Sequence, residues 1–301
     1  MALHILAVCF AAALWGVDGI VLTPNLFSLK PGFVVFIIHF IPFAFMSLLF
    51  YSEFKHIKSF SSKDWLAFLL IAITGGSLGT LAIVKALFLV HFQKLTVVVL
   101  LQKLQPVFAI TLAAIFLKER LHSGFIKWAV LALISAYLMS FGFSLPSLDL
   151  SNNALKAYFY AVIAAFFFAS GTVVSRYLSR SYNFKTATFY RYGFTSVFML
   201  FWVILTGDIS NVMQINSHHW LIILLIAFTT GSGAIYLYYY GLKKVTASVS
   251  TICELCFPIT AMILDFILHG NQLSFVQWFS AFLLVLSILM ISRFHINSQN
   301  N

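Results

Sequence analysis

Ten long apolar runs dominate the chain, and short segments that carry most of the charges separate them. The runs fall at 3–22, 33–51, 65–89, 95–117, 124–143, 156–177, 186–206, 220–242, 245–268 and 274–292. A helix needs ~20 apolar residues to cross the hydrocarbon core of a bilayer, and each run is about that long. A membrane β-barrel would instead show ~10-residue alternating segments, which do not occur here. The pattern predicts an all-α integral membrane protein with ten transmembrane helices.

The composition supports this fold class. Hydrophobic residues make up 61% of the 301 residues and charged residues only 9%. Soluble domains contain ~25% charged residues, so this chain has too few charges to cover a soluble surface. We therefore expect the lipid bilayer to surround the chain, and the apolar positions to face lipid as well as the core.

The distribution of the basic residues predicts the orientation. With the N-terminus inside, eleven Lys and Arg residues fall in cytoplasmic segments and three (Lys30, Lys94 and Lys156) in outer ones. Cytoplasmic loops carry the excess of basic residues, so both termini are predicted to be cytoplasmic. This also accounts for most of the formal charge of +10 without a nucleic-acid partner. The first run resembles a signal peptide, but it has no preceding Lys or Arg, which favours a retained helix.

The two halves of the chain resemble each other at an offset near 150 residues. The matching segments are 65–66 with 220–221, 101–106 with 253–258, and 125–128 with 275–278. We predict two repeats, 1–147 and 148–301. Each repeat holds five spans, an odd number, so the second copy would enter the membrane inverted. Inverted repeats are typical of secondary transporters, whose substrate site lies at the repeat interface.

Several of these segments carry a family resemblance. The segment 238–248, followed by Glu254 and Pro258, resembles the signature of the drug/metabolite transporter superfamily of EamA type, and 105–121 is its first-half counterpart. The resemblance implies a membrane carrier for amino acids, cationic metabolites, drugs or sugars. The chain departs from the family pattern at Asn271, where an acidic residue is expected. Glu119 keeps the acid in the first half, and we expect it to cap or anchor a loop.

Glu254 is the leading candidate for the site, with Gln102 as its repeat mate. A charge at membrane depth is costly, so an intramembrane carboxylate predicts a function. Glu254 and Gln102 each precede a proline by four residues, at Pro258 and Pro106. Because proline lacks an N–H, we expect the backbone carbonyls of Glu254 and Gln102 to be unpaired, close to the membrane midplane.

Other polar and aromatic residues of the spans could complete a substrate site: Lys103, Gln105, Asp18, Trp15, Tyr236, Tyr239 and Tyr240. Lys103 could pair with Asp18 or Glu254, or attract a carboxylate of the substrate. The three tyrosines are predicted to share one side of the eighth span. Aromatic faces bind protonated amines, which favours a cationic or zwitterionic ligand. We expect Arg191 to extend to the cytoplasmic surface, and His39 to be hydrogen-bonded within the membrane.

These features predict a secondary active transporter in a bacterial inner membrane. It would move a small-molecule substrate, such as an amino acid or a cationic amine, by alternating access. A carboxylate in a dry site binds a proton more readily than one in water, so Glu254 could couple transport to a proton. A membrane-embedded enzyme acting on a lipid or lipid-linked substrate, or a channel, are the alternatives. We predict no cofactor and no metal, and either a monomer or a homodimer. The sequence has no phosphate-binding P-loop.

Overall fold

A computed structural model describes residues 1–91, 95–145 and 148–300. Lys94 and the predicted repeat boundary at 147 therefore lie outside the described residues. Within them, ten helices are long and apolar enough to cross a membrane, as predicted. We number them α1 (Ala2–Leu26), α2 (Pro31–Leu49), α3 (Ser62–Leu89), α4 (Val97–Phe116), α5 (Ser123–Phe141), α6 (Asn152–Ser181), α7 (Phe184–Leu205), α8 (Ser217–Leu242), α9 (Ala247–Leu268) and α10 (Phe275–Asn297).

Two pairs of these helices are interrupted at equivalent positions in the two halves, and α1 also winds as a π-helix at Asp18–Leu22. A π-helical segment interrupts α3 at Ala72–Leu78 and α8 at Ile226–Gly231. The helix α4 breaks after Gln102, and α9 breaks after Cys253. Each of these breaks lies just before a proline, which cannot continue the backbone hydrogen-bond ladder. The sequence repeat is thus also a structural repeat.

The packing of the helices has the same internal symmetry. The helix α1 packs against α8 and α9, and the equivalent helix α6 packs against α3 and α4. Two further pairs, α2 with α7 and α5 with α10, join equivalent helices of the two halves. The most extensive contacts therefore run between the halves. A cavity between the halves is bordered by helices of both.

The ten spans place both ends of the chain on one side of the membrane, which we call the terminal face; the opposite side is the distal face. Large apolar side chains are exposed on the outside of the bundle, as at Leu48 (81%) and Leu205 (85%). In a membrane protein such positions meet lipid instead of water.

Buried polar contacts close the terminal face. The Glu53 carboxylate accepts a hydrogen bond from Thr186 Oγ1 at 2.6 Å and lies 3.4 Å from Lys185 Nζ. The Glu119 carboxylate accepts hydrogen bonds from the backbone N–H groups of Ala247 and Ser248, at 2.9 and 3.0 Å. Glu119 thus joins the end of α4 to the start of α9. The predicted anchoring role of Glu119 agrees with these contacts.

Candidate functional site

A central cavity of about 290 Å³ lies between the two halves. Side chains from eight helices line it, and α5 and α10 contribute none. On α1 and α3 the lining residues continue toward the distal face, to Thr23 and Leu87. On α8 and α9 the deepest lining residues are Tyr238 and Thr251, near the terminal face. The cavity therefore extends from the core toward the distal face and stops short of the terminal face.

Glu254 lies at the deep end of the cavity, in a network of hydrogen bonds from four helices. Its carboxylate accepts hydrogen bonds from Tyr238 OH at 2.6 Å and from Gln105 Nε2 at 2.5 Å. Ser250 Oγ donates at 3.3 Å, and Thr172 Oγ1 at 3.5 Å. These four donors compensate the desolvation of the carboxylate. They also fix Tyr238 and Gln105 in the cavity wall.

The backbone near Glu254 differs from the sequence expectation. The Glu254 carbonyl is not free, because it accepts a hydrogen bond from the Phe257 N–H at 3.0 Å. At the break the backbone forms a hydrogen bond between residues i and i+3, as in a 3₁₀ turn. This bond satisfies the Glu254 carbonyl, which the proline four residues later leaves without its helical partner. The prediction of an unpaired Glu254 carbonyl was therefore wrong. Glu254 also lies only about 10 Å from the terminal-face end of α9. It is therefore closer to the terminal face than the membrane midplane is.

Three other predicted residues of α1 and α4 line the cavity. Lys103 is buried and donates hydrogen bonds to the Ala136 carbonyl, at 3.0 Å, and to Ser140 Oγ. It therefore pairs with α5, and neither Asp18 nor Glu254 is its partner. Asp18 accepts a hydrogen bond from Thr23 at 3.0 Å. The side chain of Gln102 has no hydrogen-bond partner among the described residues and remains available to a ligand.

The aromatic wall of the cavity is not the one that the sequence suggested. Trp15 lines the cavity, and its ring lies 5.4 Å from that of Tyr238. Tyr239 is fully buried and accepts a hydrogen bond from Ser175. Tyr236 and Tyr240 contact the ring of Phe184, near the terminal face. Tyr236, Tyr239 and Tyr240 therefore lie outside the cavity.

Arg191 is the main residue that the sequence reasoning placed incorrectly. We expected it at the cytoplasmic surface, but it is only 8% exposed and lines the cavity. Its Nη2 donates a hydrogen bond to the Gly75 carbonyl at 3.1 Å. His39, which occupies the equivalent position in α2, also lines the cavity, and its Nδ1 lies 2.8 Å from the Val35 carbonyl. The equivalence of residues 39 and 191 was the signal that could have placed both at the repeat interface.

The cysteines support no metal or disulfide site. Cys9, Cys253 and Cys256 are free thiols that pack in one apolar cluster of α1 and α9. Across the part of the chain that the structure describes, no group of three or more His, Cys, Asp or Glu is placed to hold a metal ion.

Comparison with known proteins identifies the family. The sequence profile of the EamA-like transporter family matches residues 2–141 and, a second time, residues 155–293. The chain belongs to the EamA-like transporter family. The two matches correspond to the two halves described above, and the chain is a membrane transporter rather than an enzyme. The alternative of a membrane-embedded enzyme is set aside on this ground.

Individual relatives support this assignment to the EamA-like family. The chain is 50% identical, over 289 residues, to the riboflavin transporter ImpX of Fusobacterium nucleatum subsp. nucleatum, covering 96% of this chain and 97% of that protein. A solved crystal structure of another protein is 15% identical and covers 96% of both chains, with a TM-score of 0.68. This second likeness concerns the fold alone.

Proposed function

We propose that this EamA-like transporter carries riboflavin. The observation that carries the proposal is the 50% identity to a named riboflavin transporter over nearly the full length of both chains. This substrate differs from the amino acid or cationic amine expected from the sequence. Riboflavin and the expected substrates all belong to the class of small polar or amphiphilic metabolites, but riboflavin is neutral and has a large planar ring.

The lining of the cavity supports a neutral, aromatic ligand. Riboflavin combines a flat tricyclic ring with a chain of hydroxyl groups. Trp15, Phe168 and Phe257 supply apolar and aromatic surface in the cavity, and the unpaired amide of Gln102 offers a donor and an acceptor to hydroxyl groups. Pockets for ligands of this kind are mostly apolar with a few polar groups that fix the orientation. Glu254 offers little to a cationic amine, because four protein donors already occupy its carboxylate. Asp18 is the other carboxylate of the lining that such a ligand could use.

Transport by alternating access follows from the inverted repeat. In the present conformation the cavity extends toward the distal face, and the contacts of Glu53 and Glu119 close the terminal face. We propose that the terminal face is cytoplasmic, which the excess of basic residues there supports, and that the membrane is a bacterial inner membrane. In this orientation the cavity faces the outside, and rocking of the halves would expose it to the cytoplasm.

Proton coupling is a further part of the proposal, and Glu254 is the group that would carry the proton. Loss of the proton gradient should then slow riboflavin flux in vesicles that contain the wild-type protein. Glu254→Gln should remove this dependence, because the amide cannot exchange a proton. Flux through Glu254→Gln that still responds fully to the gradient would exclude the coupling role.

Binding to the purified protein tests the substrate. The fluorescence of riboflavin should be quenched when its ring stacks on Trp15 in the cavity. Riboflavin should also raise the melting temperature, because a ligand that binds the folded state stabilises it by mass action. Amino acids and quaternary amines are the comparison ligands. Stabilisation by an amine and not by riboflavin would replace the proposal with the original cationic class.

A further inference from the structure

Arg191 places an unpaired cation in the wall of the cavity. A guanidinium group has five N–H donors. One hydrogen bond of Arg191 is formed, to the Gly75 carbonyl, and its Nε is buried with no partner. Among the described residues, no carboxylate lies within 4.0 Å of Arg191. A buried charge without a partner is costly, and a ligand that accepts hydrogen bonds from Arg191 would reduce this cost.

The cavity that Arg191 lines offers further donors to such a ligand. Gly75 lies beside the guanidinium, since a Cβ on Gly75 would lie 3.5 Å from its Nη2, and Gly171 packs against Gly75. Two other hydroxyls of the cavity lining, Thr230 Oγ1 and Thr251 Oγ1, are also buried without a partner. The cavity therefore presents donors that no acceptor of the protein uses.

Lys103 does not offer the same opportunity, although it is the other buried cation of the cavity. Its Nζ already donates to the Ala136 carbonyl and to Ser140 Oγ. Glu254 is likewise occupied by its four donors. Arg191 is thus the charged group of the cavity with the most unused hydrogen-bonding capacity.

Resting on the proposed function, we infer that Arg191 recognises the flavin ring through the acceptor atoms of its pyrimidine portion. The ring presents two carbonyl oxygens and unprotonated ring nitrogens, a set of acceptors that suits a planar guanidinium fork. The ribityl chain, whose hydroxyls both donate and accept, is left to neutral groups such as Gln102. Arg191 would then determine the preference for flavins over cationic substrates, which it repels.

Two ligands separate ring recognition from chain recognition. Lumiflavin keeps the ring and replaces the ribityl chain with a methyl group. Arg191→Gln should weaken binding of riboflavin and of lumiflavin by the same factor, about tenfold or more, as expected for a hydrogen bond from a charged donor. Arg191→Lys, which keeps the charge without the fork, should show a smaller but equal loss for both ligands. Arg180→Gln removes an exposed arginine of α6 and is the matched control.

Riboflavin analogues with a thiocarbonyl at C2 or C4 provide the second readout, because sulfur is a weaker acceptor than oxygen. The wild-type protein should prefer the oxygen form of at least one pair, and Arg191→Gln, which removes the charged donor, should reduce that preference. Unchanged lumiflavin binding in the variants, or a preserved oxygen preference, would overturn the inference. Failure of the wild-type protein to bind riboflavin would instead refute the proposed function itself.

Discussion

Substitution of Glu119 by Gln perturbs the contact that holds the start of α9 against the end of α4. The carboxylate accepts three hydrogen bonds, from the N–H groups of Ala247 and Ser248 and from Ser248 Oγ at 2.6 Å. The amide has a single acceptor oxygen, so at least one first-turn N–H of α9 loses its protein partner. The negative charge at this helix N-terminus disappears as well, and such a charge contributes about 0.3–1 kcal/mol.

The expected loss of stability follows from these contacts. Hydrogen bonds to a charged group contribute about 1.5–3 kcal/mol, and neutral ones about 0.5–1.5 kcal/mol. Replacement of the carboxylate by an amide should therefore lower the free energy of unfolding by about 1–3 kcal/mol. With about 2–4 °C per kcal/mol for chains of 150–250 residues, the melting temperature should fall by roughly 2–12 °C.

Thermal unfolding of the purified protein in detergent measures this effect. Arg120→Gln is the matched control, because Arg120 is the exposed neighbour in the same loop. The control should melt close to the wild-type protein. If Glu119→Gln melts at the wild-type temperature, the three hydrogen bonds do not stabilise the closed terminal face, and the reasoning fails.

Three further changes test other contacts. Tyr238→Phe removes the 2.6 Å hydrogen bond to Glu254 and should weaken riboflavin binding severalfold in a fluorescence titration. An unchanged Kd would show that the hydrogen-bond network of Glu254 does not contribute to the riboflavin site. Gly241→Ala should lower the melting temperature, because its Cβ would lie 2.4 Å from Val8 Cγ2. Gly19→Ala is its tolerated counterpart, with the nearest atom at 3.7 Å, and equal melting of the two would contradict the packing. Trp15→Ala should weaken riboflavin binding, because it removes aromatic surface on which the flavin ring stacks. An unchanged affinity for riboflavin would show that the flavin ring does not stack on Trp15.

The sequence predicted the spans and the two-repeat plan well, because these depend on hydropathy and on spacing along the chain. The role of Glu254 in the site stays a prediction. Ten apolar runs of membrane length leave little choice of fold class. Glu254 stood out because an intramembrane carboxylate is costly and must be compensated. Its compensation, from Gln105 and Thr172 among others, depends on helices distant in sequence and was not readable from spacing.

The rotation of each helix about its axis was not predictable in the same way. Periodicity shows that Tyr236, Tyr239 and Tyr240 lie on one side of α8, but not which side faces the cavity. The packing of α1 and α7 against α8 turns Tyr238 toward Glu254 instead. Arg191 was misplaced for a related reason. A long basic side chain can extend to either the surface or the interior, and only the structure shows that this one turns inward to donate to the Gly75 carbonyl.

Counterflow of labelled riboflavin tests the central claim most directly. Proteoliposomes that contain the purified protein would be loaded with unlabelled riboflavin, and uptake of the labelled vitamin would be compared with uptake into unloaded proteoliposomes and into protein-free liposomes. The account predicts saturable uptake that riboflavin on the far side accelerates, as for a carrier. Uptake no greater than that of protein-free liposomes, or flux that is neither saturable nor accelerated, would contradict it.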